Sequence, residues 1–202
     1  MMILADVAPR ALWPEILANI MDSSRLRLTA VPPIVNTETS FDESQHIVQC
    51  NTYFSHFLYA ALARAGEFAR ALPAMRTQYG AMLDSGTSTL WESSEPDAST
   101  CHAFSASPVY HLSSNVLGVR PTESGFRTFR IAIQPGDLDY ARGTFPCPHG
   151  DIEVAWDREQ DGLRIRFNVP EGTRAKLELP PACTSPSLRS SYAPGIYEVH
   201  AT

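Results

Sequence analysis

The stretch GDIEVAWDREQDGLRIRFNVP (150–170) decides how the C-terminal part of the chain folds. Apolar residues alternate with polar ones in both of its halves: Ile152, Val154 and Trp156 in the first, and Leu163, Ile165, Phe167 and Val169 in the second. A period of two places the apolar side chains on one face of a strand. Because the turn-forming residues EQDG separate the halves, the stretch predicts two antiparallel strands with one buried face.

The same pattern continues on both sides of this stretch. RTFRIAIQP (127–135), RAKLELP (174–180) and GIYEVHA (195–201) are short, apolar-alternating segments bounded by Pro, Gly or Asp. The Ser- and Pro-rich segment 180–194 predicts a long loop. Residues 123–202 are therefore predicted to form a small antiparallel β-sandwich.

The N-terminal part of the chain has helical spacing instead. Apolar residues recur at intervals of three and four within 52–66, 67–86 and 103–118, and a shorter helix is predicted over about 11–21. Gly66 and Gly118 stand where helices end, and Pro73 is expected in the first turns of the second long helix. Residues 1–122 are thus predicted to form a helical domain, and the chain belongs to the α+β class.

These helices are apolar on more than one face, which is more surface than three or four helices can bury among themselves. The excess predicts either further helices in a larger parent structure or self-association through exposed helix faces.

Composition argues against several classes of partner. The net charge is -6, Lys176 is the only lysine, and the arginines are scattered. Nucleic acid and anionic membranes are therefore not expected partners, and a neutral small molecule or a sugar suits the chain at least as well. No apolar run has membrane-spanning length and no basic N-terminal region indicates a signal peptide, so a cytoplasmic location is the default expectation.

The four cysteines lie far apart without a C-x-x-C motif, so a zinc site is not expected. Buried free thiols are the default expectation, and three disulfide pairings stay open. The sequence gives no sign of another metal or of an organic cofactor. A protein-interaction module built on the sandwich is a further possibility, but it is supported by fold analogy alone.

A loop with Trp91 beside Glu92 is the strongest candidate for chemistry. Thr89 to Glu92 formally matches a capping box, but the Pro96 that follows leaves no room for the helix that such a box requires. A carboxylate that is aimed and partly desolvated can instead deprotonate a water. An indole ring beside it offers a flat apolar surface that suits the C–H faces of a sugar.

His102 follows ten residues later, at the start of the next helical segment. A single histidine at a helix start is more often structural than functional, and the adjacent Cys101 does not by itself make a catalytic pair. Other carboxylates lie in a loop before the first long helix or flank the Trp91–Glu92 loop, and loop carboxylates are solvated by default. They are Asp42, Glu43, Asp84, Glu95 and Asp97.

Four segments together resemble the C-terminal portion of the bacterial-type α-L-rhamnosidase family of glycoside hydrolases. They are MLDSGTSTLWE (82–92), CHAFSASPVYHLSSNVLGVRP (101–121), GFRTFRIAIQP (125–135) and LDYARGTFPCPHGDIEVAW (138–156). The resemblance extends from about residue 50 to the end of the chain. Each segment alone is weak evidence for the family, but the order and close spacing of the four segments make the set fairly specific.

This resemblance implies a fold and a site. It implies that residues 1–122 are part of an (α/α)6 barrel and that the β-sandwich follows. It implies inverting hydrolysis of terminal α-L-rhamnosides, which uses two carboxyl groups and no organic cofactor. Glu92 takes the place of the general base, and His102 and Trp91 line the sugar pocket.

The family's general acid comes from an Asp-rich motif well upstream, and this sequence has no such segment. The expectation is therefore a C-terminal fragment that lacks the general-acid region and is weak or inactive alone. The alternative is a non-catalytic, truncated relative that only binds sugar. The exact sugar, the aglycone and the acid stay open, although Asp42, Glu43 or Asp97 could serve as an acid within this chain.

Overall fold

The computed structural model describes residues 1–27, 42, 44–92 and 98–202. By contacts within the chain, it divides into two compact units: Met1–Glu67 with Thr77–Ser107, and Phe68–Arg76 with Pro108–Thr202. The domain boundary predicted between residues 122 and 123 stays a prediction, because units defined by contacts need not coincide with domains.

The first unit is mainly helical. It contains α1 (Trp13–Ile20), preceded by a 3-10 turn (Arg10–Leu12), then α2 (Ser55–Arg64), the end of α3 (Ala71–Asp84) and a 3-10 turn (Ala103–Ser105). A two-residue parallel pair joins β1 (Leu26–Arg27) to β2 (Ile47–Val48). The helices predicted over 11–21, 52–66 and 67–86 are confirmed, and Pro73 lies in the first turn of α3.

Helix α2 ends as its sequence predicts. Gly66 has φ +76°, its N–H donates to Ala63 O, and the N–H of Glu67 donates to Leu62 O. These two bonds form a Schellman motif, in which a residue without a Cβ adopts the left-handed conformation at low cost. Arg64 in the last turn of α2 forms an ion pair with Asp6 and lies over the ring of Trp13.

In the second unit, the third predicted helix is segmented. Residues Ser107–His111 form α4, which begins in the first unit at Ser107, and Leu112–Val116 form a π-helical turn before Gly118. Asn115 within this turn is fully buried and donates to the carbonyl of His111. A single continuous helix over 103–118 was therefore wrong in detail, since a π-turn adds a residue to the helical repeat.

Two sheets build the rest of the second unit. The three-stranded sheet has the order β3 (Val119–Pro121), β4 (Thr128–Ala132), β8 (Arg174–Glu178). The four-stranded sheet has the order β5 (Tyr140–Cys147), β6 (Gly150–Glu159), β7 (Gly162–Val169), β9 (Gly195–Ala201). A β-rich unit with mostly antiparallel sheets is confirmed.

The wholly antiparallel pairing predicted from the sequence needs one correction. Strands β4 and β8 pair in parallel, with Phe129 opposite Ala175 and Ile131 opposite Leu177. Strand β5 was also missed. Its side chains are half-buried or exposed throughout, so its sequence lacks the apolar alternation that marks the other strands.

The alternating residues of the decisive stretch form the core of the four-stranded sheet. Ile152, Trp156 and Ile165 are fully buried. The indole N–H of Trp156 donates to Val116 O at 2.9 Å, which ties strand β6 to the π-turn. A fully buried indole needs such a partner, because its N–H would otherwise lose its hydrogen bond to water.

Apolar surface does stay exposed, as the helical pattern predicted. Phe104, Val109 and Tyr110 are exposed over 66%, 64% and 56% of their surfaces. The predicted self-association stays a prediction. No helix among the described residues is long and apolar enough to cross a membrane.

Candidate functional site

Two short segments of the first unit pair with each other and hold the candidate residues. The N–H of Glu92 donates to Ser99 O, and the N–H of His102 donates to Leu90 O, both at 2.8 Å. The side chain of Thr89 adds a bond to Thr100 O at 2.6 Å. These antiparallel contacts bring Glu92 and His102 together although ten residues separate them in sequence.

The Glu92 carboxylate and the His102 imidazole face each other. Their Oε2 and Nδ1 atoms are 4.0 Å apart, and the side chains are exposed over 52% and 29% of their surfaces. This separation is too long for a direct hydrogen bond, and it allows a water or a sugar hydroxyl to bond to both groups. Glu92 Oε2 also accepts from the N–H of Ser99 at 3.3 Å, which restrains the carboxylate.

The structure rejects the capping-box interpretation of Glu92. In a capping box the Thr89 hydroxyl would accept a bond from the backbone N–H of Glu92. Here the Thr89 hydroxyl donates to Thr100 O, and the N–H of Glu92 donates to Ser99 O. Glu92 is not in a helix.

Trp91 is held by its polar edge. Its indole N–H donates to the Thr87 hydroxyl at 3.0 Å, and its backbone N–H contacts the sulfur of Met82 at 3.4 Å. Since the only donor of the ring is occupied, the part-exposed indole has its apolar faces to offer to a ligand. Those faces are what stacking on a sugar requires.

A buried threonine anchors the loop, and sequence analysis missed it. The hydroxyl of Thr52 donates to Glu92 O at 2.6 Å and lies 2.8 Å from the Ser105 hydroxyl, and Thr52 is only 4% exposed. Because a hydroxyl has one proton, Ser105 must donate to Thr52. The Tyr79 hydroxyl in turn donates to the carbonyl of Thr52 at 3.1 Å. Glu92 is thus connected to the interior of the unit.

Aromatic rings border the site on the His102 side. The Phe104 ring packs edge-on against His102 with centroids 5.3 Å apart, and Tyr53 lies 5.4 Å from Phe104. Both Phe104 and Tyr53 are exposed. They were not predicted as site residues. Their only signal in the sequence is position, since Tyr53 follows Thr52 and Phe104 follows His102 by two residues.

The described part of the chain offers one of the three proposed acids, Asp42. Its carboxylate accepts from the hydroxyl and the N–H of Ser44 at 2.7 and 2.9 Å, and these bonds lower the pKa of Asp42 below its ordinary value. A general acid must carry a proton, so a lowered pKa is unfavourable for that role. Glu43, Glu95 and Asp97 lie outside the described residues.

The four cysteines are free, as expected, but the expected burial was wrong: Cys101 is exposed and the other three are half-buried. In the described ranges, no three His, Cys, Asp or Glu side chains gather in a way that could hold a metal ion.

Comparison with known proteins identifies the relatives of this chain. Residues 118–189 match the family described as the bacterial alpha-L-rhamnosidase C-terminal domain. An alpha-L-rhamnosidase of Streptomyces avermitilis is 29% identical over 114 residues, which are 50% of this chain and 11% of that protein. An alpha-L-rhamnosidase of an Alteromonas species is 38% identical over 68 residues, which are 33% of this chain and 7% of that protein. The resemblance to the C-terminal portion of the bacterial α-L-rhamnosidases is confirmed.

Solved structures agree with this assignment. A rhamnosidase of family GH78 from Bacillus sp. GL1 is 37% identical, with a TM-score of 0.63 over 68% of this chain and 16% of its own. The Streptomyces avermitilis alpha-L-rhamnosidase, solved in complex with L-rhamnose, has a TM-score of 0.69 over 99% of this chain and 20% of its own. At 19% identity this second likeness shows the fold alone. The chain therefore spans a fifth or less of the α-L-rhamnosidases it matches.

Proposed function

We propose that this chain supplies the water-activating side of a glycoside hydrolase site that acts on terminal α-L-rhamnosides. One observation carries the proposal: the part-exposed carboxylate of Glu92 lies 4.0 Å from the His102 imidazole. Trp91 precedes Glu92 in sequence, and its indole N–H is occupied by the Thr87 hydroxyl. The confirmed resemblance to α-L-rhamnosidases supplies the reaction and the sugar.

In this mechanism Glu92 is the general base of an inverting hydrolysis. Its carboxylate takes a proton from a water that attacks the anomeric carbon, on the face opposite the leaving aglycone. His102 binds a sugar hydroxyl and orients the ring, while Trp91 stacks on its apolar face. Inversion requires a second carboxyl about 6.5–9.5 Å from the base, which protonates the leaving oxygen.

The wider architecture is part of the same proposal. The helices within residues 1–122 are proposed to belong to an (α/α)6 barrel, and residues 123–202 to form the β-sandwich that follows it. The general acid would come from a part of such a barrel that this sequence does not include.

A non-catalytic relative that only binds sugar is the second candidate. The observation that favours it is that hydrogen bonds from Ser44 lower the pKa of Asp42, which makes Asp42 a poor proton donor. With the base but no acid, the site would hold a rhamnose ring without cleaving the bond efficiently.

The test compares release of nitrophenol from an aryl α-L-rhamnoside by the chain, its Glu92→Gln variant and its Glu92→Ala variant with azide. Gln keeps the shape of Glu92 and an oxygen for the Ser99 N–H, so it removes the base with little effect on the fold. Azide needs no base, so it should restore release by the Ala variant. Turnover that survives in Glu92→Gln would refute the assignment, and no turnover by any form would favour the non-catalytic candidate.

A further inference from the structure

The three-stranded sheet of the second unit carries basic side chains opposite one another. Arg120 of β3 is the register partner of Arg130 of β4, and Arg130 is also the partner of Lys176 of β8. Partners in register lie on the same face, about 5 Å apart from strand to strand. Arg174, two residues before Lys176, adds a fourth cation to this face. We call Arg120, Arg130, Arg174 and Lys176 the basic row.

Like charges directly opposite one another destabilise a sheet. Within the three strands, the only carboxylate is Glu178, which contacts Lys176 at 3.1 Å and Arg130 at 3.5 Å. Among the residues of these three strands, four cations therefore share one carboxylate. The chain as a whole has a net charge of -6, so the positive charge of the basic row is opposite in sign to the net charge of the chain.

Among the described residues, Arg120 has no carboxylate partner in its hydrogen bonds. Its guanidinium is about half-buried and donates to Ser114 O and to Asn115 Oδ1, both of which are neutral oxygens. The pKa of Arg120 is lowered mainly by burial and, to a smaller extent, by the nearby Arg130 guanidinium. An anion beside Arg120 and Arg130 would relieve both effects, because guanidinium groups match carboxylate and sulfate oxygens in pairs.

We propose that the basic row is a binding site for an anionic sugar residue of a polysaccharide, bearing a carboxylate or a sulfate. Arg174 and Lys176 are exposed, Arg120 and Arg130 are half-buried, and the net positive charge of the row is small on an acidic chain. A sparsely charged glycan suits such a surface better than nucleic acid or an anionic membrane. The choice of a glycan as carrier rests on the proposed function; the anion preference follows from the row itself.

The test titrates the isotope-labelled chain at low salt with a galacturonate trimer, a sulfated trisaccharide and the neutral maltotriose. The side-chain N–H signals of Arg120 and Arg130 report binding in NMR spectra. We expect one acidic sugar, or both, to shift these signals, added salt to weaken binding and maltotriose to do nothing. The acidic sugar that binds more tightly shows whether the basic row prefers a carboxylate or a sulfate. No shift with either acid, or equal shifts with maltotriose, would overturn the proposal.

Arg130→Gln is the decisive variant, and Arg166→Gln is its matched control. Arg166 is similarly exposed, at 44% against 38%, and is also ion-paired, but it lies on the four-stranded sheet. We expect Arg130→Gln to weaken acidic-sugar binding at least tenfold without lowering the Tm, and Arg166→Gln to leave the affinity unchanged. Equal losses in both variants would mean nonspecific attraction and would overturn the proposal.

The same samples separate this inference from the proposed function. Titration with L-rhamnose reports on Trp91 and His102, which lie in the other unit. Arg130→Gln should not alter L-rhamnose binding. If the parent chain binds the acidic sugars but not L-rhamnose, the proposed function is refuted and the basic row stands. If it binds L-rhamnose but neither acidic sugar, the basic row is refuted and the proposed function stands.

Discussion

Replacement of Thr52 by valine should loosen the Glu92 loop more than the small change in shape suggests. Valine keeps the size of threonine but exchanges the hydroxyl for a methyl group. Glu92 O then loses a donor at 2.6 Å, and the Ser105 hydroxyl loses its acceptor at 2.8 Å. Because Thr52 is 4% exposed, water cannot readily replace these bonds. An unsatisfied buried polar group costs about 1–3 kcal/mol.

Hydrogen exchange measures this effect at the site itself. The amides of Glu92 and His102 are both hydrogen-bonded across the paired segments. If local opening becomes easier by about 1–3 kcal/mol, their exchange should accelerate about 5- to 150-fold. Thr52→Ser is the control, since it keeps the hydroxyl and should change exchange much less. Equal exchange rates in Thr52→Val and Thr52→Ser would refute the anchoring role of the hydroxyl.

Three further predictions concern the second unit. Trp156→Phe should lower the free energy of unfolding by about 1–3 kcal/mol, because Val116 O loses its donor in a fully buried site; urea denaturation measures this, and an unchanged midpoint would contradict it. Gly118→Ala should cost more than about 1 kcal/mol, since Gly118 has φ +82° and an added Cβ would lie 2.5 Å from the Ala132 backbone; a Tm equal to that of the parent chain would refute this. Hydrogen bonds to the Glu198 and Glu159 carboxylates raise the pKa of His200. The stabilisation of the fold by protonated His200 should therefore be full below about pH 6.5 and be lost as pH rises through the folded-state pKa. The difference in urea midpoint between the parent chain and His200→Gln should therefore shrink from pH 6 to pH 8, and a difference that grew would be inconsistent with these bonds.

Much of the β-rich unit could be predicted from local pattern. Strands β6 and β7 are where period-two alternation placed them, because each buries one face. Strand β5 could not be found this way, since none of its side chains is buried. The parallel pairing of β4 with β8 is a long-range choice, and alternation within a strand carries no information on its partner.

The candidate site shows the same division. Glu92, His102 and Trp91 were selected by residue type and by resemblance, and the structure brings the side chains of Glu92 and His102 together. Thr52 was not selected, because its bond to Glu92 joins residues 40 positions apart and nothing near Thr52 in sequence marks it. Anchoring contacts of this kind become visible only when the folded chain places them side by side.

The most direct test of the proposed sugar site is titration of the labelled chain with L-rhamnose, followed by NMR at the Trp91 indole N–H and the His102 ring. D-rhamnose, the mirror image, is the matched control ligand, and His102→Ala is the control variant. We predict saturable shifts at Trp91 and His102 with L-rhamnose, much weaker ones with D-rhamnose, and their loss in His102→Ala. Shifts that are absent, or equal for the two enantiomers, would contradict a rhamnose site at Trp91, Glu92 and His102.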